Sequence, residues 1–141
     1  MRFVIRLVLF VAALAVVFVG AIFAASEFGG EVVDVETVDA SGAKHHTHLW
    51  VVDDGGFAWL RAGVPTSGWL VRIDANPDVH VTRGGVDYHM KAVPVRDQPA
   101  IRDRIHQLMR EKYPLADRLI SPIRDPSHSV PVRLDPVQPP P

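Results

Sequence analysis

Three histidines within four positions, His45, His46 and His48, directly follow Lys44 and form the densest group of chemically versatile side chains in the sequence. On a strand, alternate residues share a face, so His46 and His48 could both reach one metal ion, with His80 or His89 adding an imidazole from another strand. The same run also reads as the polar face of a half-exposed sheet. No helical H-E-x-x-H pattern and no legible carboxylate–histidine pairing accompanies it, so no metal site is assigned. Hydrolytic chemistry fits less well. There is no G-x-S-x-G elbow, and Ser67 stands where a helix cap belongs. Asp53 and Asp54 read as turn residues, and Gly84-Gly85 lacks the strand–helix unit of a dinucleotide site. The absence of cysteine excludes a thiolate nucleophile, an iron–sulfur cluster and a disulfide framework. With no self-sufficient catalytic set, any reactive chemistry belongs to a bound cofactor.

A second group is more suggestive. Arg61, the Gly63-Val64-Pro65 turn, Ser67 and Trp69 follow one another closely, and Lys44 with its histidines marks a separate loop–strand junction. Cations and backbone N–H donors beside an aromatic wall suit a phosphorylated, planar ligand. Trp50 and Trp69, taken singly, read more readily as core.

The elements that must position these residues follow from periodicity. Val33, Val35 and Thr37 alternate with polar neighbours, which predicts a first strand from Glu31. A strand over 45–52, a tight turn at Asp53-Asp54-Gly55-Gly56 and a return strand from Phe57 to Ala62 predict a hairpin. Thr66 or Ser67 should cap a short helix burying Trp69, Leu70 and Ile73, closed by Asn76-Pro77. A second hairpin turns at Gly84-Gly85, and Pro94 implies an edge or a bulge. Ile101, Ile105, Leu108 and Met109 make the stripe of the longest soluble helix, capped at Asp97 and stopped at Tyr113-Pro114. One more short turn is expected within 115–124, and a last strand within 129–134. The expected class is mainly β (α+β): a small antiparallel barrel with two or three flanking helices.

The N-terminus sets location. From Phe3 to Ala25 the chain is apolar apart from Arg6, long enough to cross a bilayer. A cut after Ala25 or Ala24 would leave Phe23 or Ile22 where a signal peptidase needs a small residue, so the segment reads as an uncleaved anchor. Arg2 and Arg6 before the span predict a cytoplasmic N-terminus and a soluble domain on the far side. The expected organisation is an anchor over 1–25, a linker over 26–30, a folded domain over 31–135 and a Pro-rich tail over 136–141. The near balance of 15 basic and 16 acidic residues gives no nucleic-acid footprint.

Several blocks together resemble a known family. Gly42 and the basic loop, the strand HTHLWVVDDG, the block G-V-P-x-S-G-W, the helix ending ANPDVHV, the strand with AVPV and the run EKYP-x-AD are similar to the split β-barrel proteins related to deazaflavin-dependent nitroreductases and quinone reductases. The resemblance implies a split barrel, often dimeric, that binds the deazaflavin coenzyme F-420, or FMN in related branches, or no cofactor in a diverged branch. It puts Lys44, His45 and Thr47 near the phosphates, Trp50 and Arg61 at the barrel wall, and Gly63, Val64, Pro65, Ser67 and Trp69 around the ring or its tail. The implied activity is hydride transfer to a quinone-like or nitro acceptor at the bilayer. The alternative is a non-catalytic barrel binding an apolar ligand or a partner at the membrane surface. Reduced deazaflavin is a cytoplasmic cofactor, so the far-side topology and the reductase reading pull in opposite directions.

Overall fold

Strand alternation organises the domain: in β1 (Val32–Val38) the side chains of Val33, Val35 and Thr37 are buried and those between them are not. The computed structural model describes residues 1–28, 31–120 and 125–137. The expected linker (26–30), the turn within 115–124 and the tail (136–141) each lie partly outside those residues. The described elements are helix α1 (Arg2–Phe28), β1, β2 (Lys44–Trp50), β3 (Val52–Asp54), β4 (Phe57–Ala62), α2 (Gly68–Ala75), β5 (Asp78–Arg83), β6 (Val86–Pro94), α3 (Pro99–Lys112), α4 (Pro114–Ile120), a short 3-10 turn and β7 (Val130–Pro136). Their order is the one expected, and the helix α1 continues past residue 25.

All strand pairings are antiparallel, in the order β2-β1-β5-β6-β7-β4-β3. The two outermost strands are consecutive in the chain. The sheet therefore curls into a half-barrel whose edges meet at Val51, where the single strand expected over 45–52 divides. Its first part pairs with β1 and its second with β4. At the turns, Gly55-Gly56 and Gly84-Gly85 all have positive φ, the backbone that two-residue hairpins with right-handed twist require. Asp53 and Asp54 are strand residues, not the turn itself.

Two cores result from the two faces of β4. Leu60 and Ala62 point inward to Val33, Val35, Val79, Val81, Trp69 and Leu70, filling the barrel. Trp59 points outward and packs with Val52 against Ile105, Met109 and Tyr113, which is how α3 is held on the barrel wall. One expectation fails locally. Asp97 does not cap α3; Gln98 takes that place and Asp97 adopts a left-handed φ of 61°. Pro94 ends β6 at a local edge, as expected: β6 is interior in the sheet order, but its pairing with β5 stops at Lys91, so Pro94 has only β7 beside it, and Val95 N–H then donates to the Pro131 carbonyl.

A charged clasp holds the closure. Arg83, at the end of β5, donates to both oxygens of Glu31 just before β1 and to both oxygens of Asp53 on β3, at 2.7–2.9 Å. Lys112 adds a contact to Glu31 at 2.8 Å. The Arg83 guanidinium, and then Lys112, hold the Glu31 carboxyl well below its ordinary value of 4.5, at about 2. A carboxyl whose folded pKa is depressed adds stability above its unfolded pKa and loses it as pH falls through the folded one. Stability should thus decline between about pH 4.5 and 2 through this group. Glu31→Gln should flatten that part of the acid-unfolding curve followed by circular dichroism; an unchanged curve would show the clasp contributes nothing.

Candidate functional site

β2 and β4 are neighbours across the closure without a hydrogen-bonded ladder between them among the described residues. At that split lies a cavity of about 270 Å³, lined by His48, Leu49 and Trp50 from β2, Arg61 and Gly63 from β4 and its turn, Ser67 and Trp69 from the start of α2, and Met109 from α3. Trp69 reaches it from the barrel core and Trp50 from the outer layer, where it stacks on Tyr113 with ring centroids 4.7 Å apart. The two tryptophans are packed and still line the cavity, so core and wall are the same residues.

Arg61 supplies the cation. Because it alternates with the inward Leu60 and Ala62, its side chain lies on the α3 side, where Nη1 stands 2.7 Å from His106 Nδ1. Burial, and then the charge of Arg61, push the His106 pKa down, so the ring stays neutral at neutral pH and Nδ1 can accept the guanidinium hydrogen. The start of α2 supplies donors. Ser67 occupies the N-cap position, but its hydroxyl donates back to the Val64 carbonyl and caps no N–H of the first turn. The expected side-chain cap is therefore absent, and Ser67 and Trp69 at the start of α2 both line the cavity.

Of the residues singled out in the sequence, Trp50, Arg61, Gly63, Ser67 and Trp69 converge on this cavity. Val64 belongs to the same turn, and Pro65 lines an adjoining groove with Arg96 and His128. Lys44, His45 and Thr47 do not line the cavity. Lys44 pairs with Glu36 at 3.3 Å, His45 with Asp39 at 2.7 Å, and Thr47 lies opposite Val35 in the β1–β2 ladder. His48, Leu49 and Met109 do line it, and only His48 carried a chemical signal in the sequence, as part of the histidine run.

The histidines do pair with carboxylates, contrary to the sequence reading. His46 Nδ1 is 2.8 Å from Asp34 and His80 Nδ1 is 3.1 Å from Asp87, while His80 stacks on His89. Cross-strand register creates these pairs between residues on neighbouring strands, twelve and seven positions apart in sequence. Among the described residues, no group of three or more potential ligands has metal-holding geometry.

A sequence model of the F420H(2)-dependent quinone reductase family matches residues 25–132. The chain belongs to that family. No curated protein matches it. Solved structures with the same fold include a conserved hypothetical protein, Rv2991, from Mycobacterium tuberculosis (18% identity, 80% of each chain covered, TM-score 0.61). An F420-H2 dependent reductase, FDR-A, is 25% identical over 72% of this chain and 92% of its own, with a TM-score of 0.55. The heme storage protein HutZ from Vibrio cholerae is 19% identical over 81% of this chain and 88% of its own, with a TM-score of 0.58. For this member of the quinone reductase family, the split barrel expected from the sequence is thus the fold observed. One N-terminal helix, apolar over Arg2–Gly20, could cross a membrane or act as a signal sequence.

Proposed function

We propose that this protein is a membrane-anchored reductase that binds the deazaflavin coenzyme F-420 at the β2–β4 split, with FMN as the alternative, and serves a quinone-like or nitro acceptor. Family membership supports the cofactor class, and one structural observation supports the site: two tryptophans, Arg61 and the uncapped start of α2 meet at one cavity. A cavity of about 270 Å³ is near the lower end of small-molecule sites, which run from roughly 300 Å³ upward, and so suits a flat ring system whose tail continues outside. When bound, the reduced deazaflavin supplies the hydride. The residues of this chain bind and orient: Trp50 and Trp69 offer apolar faces to the ring, and Arg61 offers a cation to an anionic edge or phosphate. Lys44, His45 and Thr47 would meet the tail further along β2. No side chain here is assigned an acid–base or nucleophilic step.

The test is a titration of the full chain, in detergent micelles, with F-420 and with FMN, followed by cofactor fluorescence. Saturable binding of one of them, with quenching of tryptophan emission by contact with Trp50 and Trp69, is expected. No saturable binding of either would overturn the reading.

A further inference from the structure

The barrel has two ends, and α1 leads into one of them. β1 starts there, β5 ends there at Arg83, and the Gly55-Gly56 and Gly84-Gly85 turns both close there, since Arg83 joins Glu31 and Asp53 across that end. α4 lies against α1 at the same place, following Lys112 and Tyr113, whose side chains reach Glu31. Outside α1, the exposed large apolar side chains among the described residues are unevenly spread. Val64 and Val71 lie toward α2, while Val32, Phe57, Val86 and Leu115 lie at the α1 end, with Tyr88 two register pairs further in and Val137 beyond it beside His89. Leu115 is 64% exposed and Val86 50%. Scattered apolar residues need no explanation, but Val32, Phe57, Val86 and Leu115 come from four separate segments and gather on one rim.

The charges at the rim are arranged to match. Glu31, Arg83, Asp53 and Lys112 are joined in the clasp, Arg104 pairs with Asp54 and Arg133 with Asp135. A group of charges already neutralised by neighbours loses less on approaching a low-dielectric surface than lone charges would. The hairpin tips at this end are glycines, which let the backbone approach closely. We infer that this rim rests on the bilayer surface, with Val86, Phe57 and Leu115 set among the lipid headgroups and upper acyl chains. The inference rests on α1 being a span, and it adds that the barrel is docked in a fixed pose rather than tethered at a distance. Docking strength then grows with the apolar area the rim buries.

The chain has no cysteine, so single cysteines report individual positions. The full chain carrying Val86→Cys, Phe57→Cys or Leu115→Cys is labelled with a polarity-sensitive fluorophore and reconstituted in phosphatidylcholine vesicles. Val64→Cys and Val71→Cys serve as references at the other end, and Leu14→Cys reports the span. Rim labels should be quenched by nitroxide-bearing lipids and protected several-fold from iodide relative to the references. A span label buried in lipid together with rim labels as open to iodide as the references would overturn docking and leave the anchor standing. A span label outside lipid would overturn the anchor and docking with it. Protection that tracks protein concentration in detergent, without lipid quenching, would make the rim an interface between two copies and likewise overturn bilayer docking.

Discussion

Replacing Tyr113 with phenylalanine lowers the stability of the domain by about 1–3 kcal/mol, the cost of leaving a buried donor without a partner. The donor is the N–H of Val51. At that residue the chain leaves the β1 ladder and joins the β4 ladder, so neither ladder serves its backbone groups. Tyr113 does so instead. Its Oη accepts from Val51 N at 3.1 Å, and its hydrogen is shared between the Val51 and Glu31 carbonyls at 2.8 and 2.6 Å. Burial, the largest influence, raises the phenol pKa, which keeps the hydroxyl protonated and able to donate. In the phenylalanine variant Lys112 still reaches the Val51 carbonyl, so the Val51 N–H is the buried group left orphaned, while the part-buried Glu31 carbonyl loses its donor as well. Tyr113→Ala removes the ring as well, which is 1% exposed, stacks on Trp50 and packs under α3, and should cost about 3–5 kcal/mol. Against a typical total of about 5–15 kcal/mol, that is a third or more of the stability of an average domain. Urea unfolding midpoints measure both variants. A phenylalanine variant with an unchanged midpoint would mean that Val51 N–H finds another acceptor and that Tyr113 does not close the barrel.

At the proposed site, Arg61→Ala should weaken F-420 binding at least tenfold, given a charge-assisted contact of about 1.5–3 kcal/mol and about 1.4 kcal/mol per factor of ten. Arg61 is the cation that lines the cavity, and its Nη1 stands 2.7 Å from His106 Nδ1. Arg61→Lys should recover part of the loss, because the charge is restored without the planar fork. Lys44→Ala is the informative companion. Lys44 is largely exposed beside Glu36, so it competes for the phosphate only if the tail follows β2 to its start. A tenfold loss at Lys44 with none at Arg61 would move the anionic contact out of the cavity to the β1–β2 loop, and unchanged affinity in both would remove the phosphate role from each.

Periodicity is a local property, and what depends on it was legible in the sequence. The alternation of Val33, Val35 and Thr37, the glycine pairs at both hairpins, the stripe of Ile105 and Met109 and the stop at Asn76-Pro77 predict elements that the structure contains. The G-V-P-x-S-G-W block pointed to the family because turn residues and a bulky core residue at that spacing are unusual together. The features missed depend on distance through space. The break at Val51 has no mark in the run HLWVVDD, since it arises from the sheet curling until one strand serves two edges. The carboxylate partners of the histidines come from register, and Met109 enters the cavity only because α3 crosses the split. The sequence by itself determined the strands, the helices, the family and an apolar N-terminal helix. Only the tertiary structure decided that Trp50, Arg61 and Trp69 share one cavity and that Val32, Phe57, Val86 and Leu115 share one rim, because both are sums over segments brought together by barrel closure.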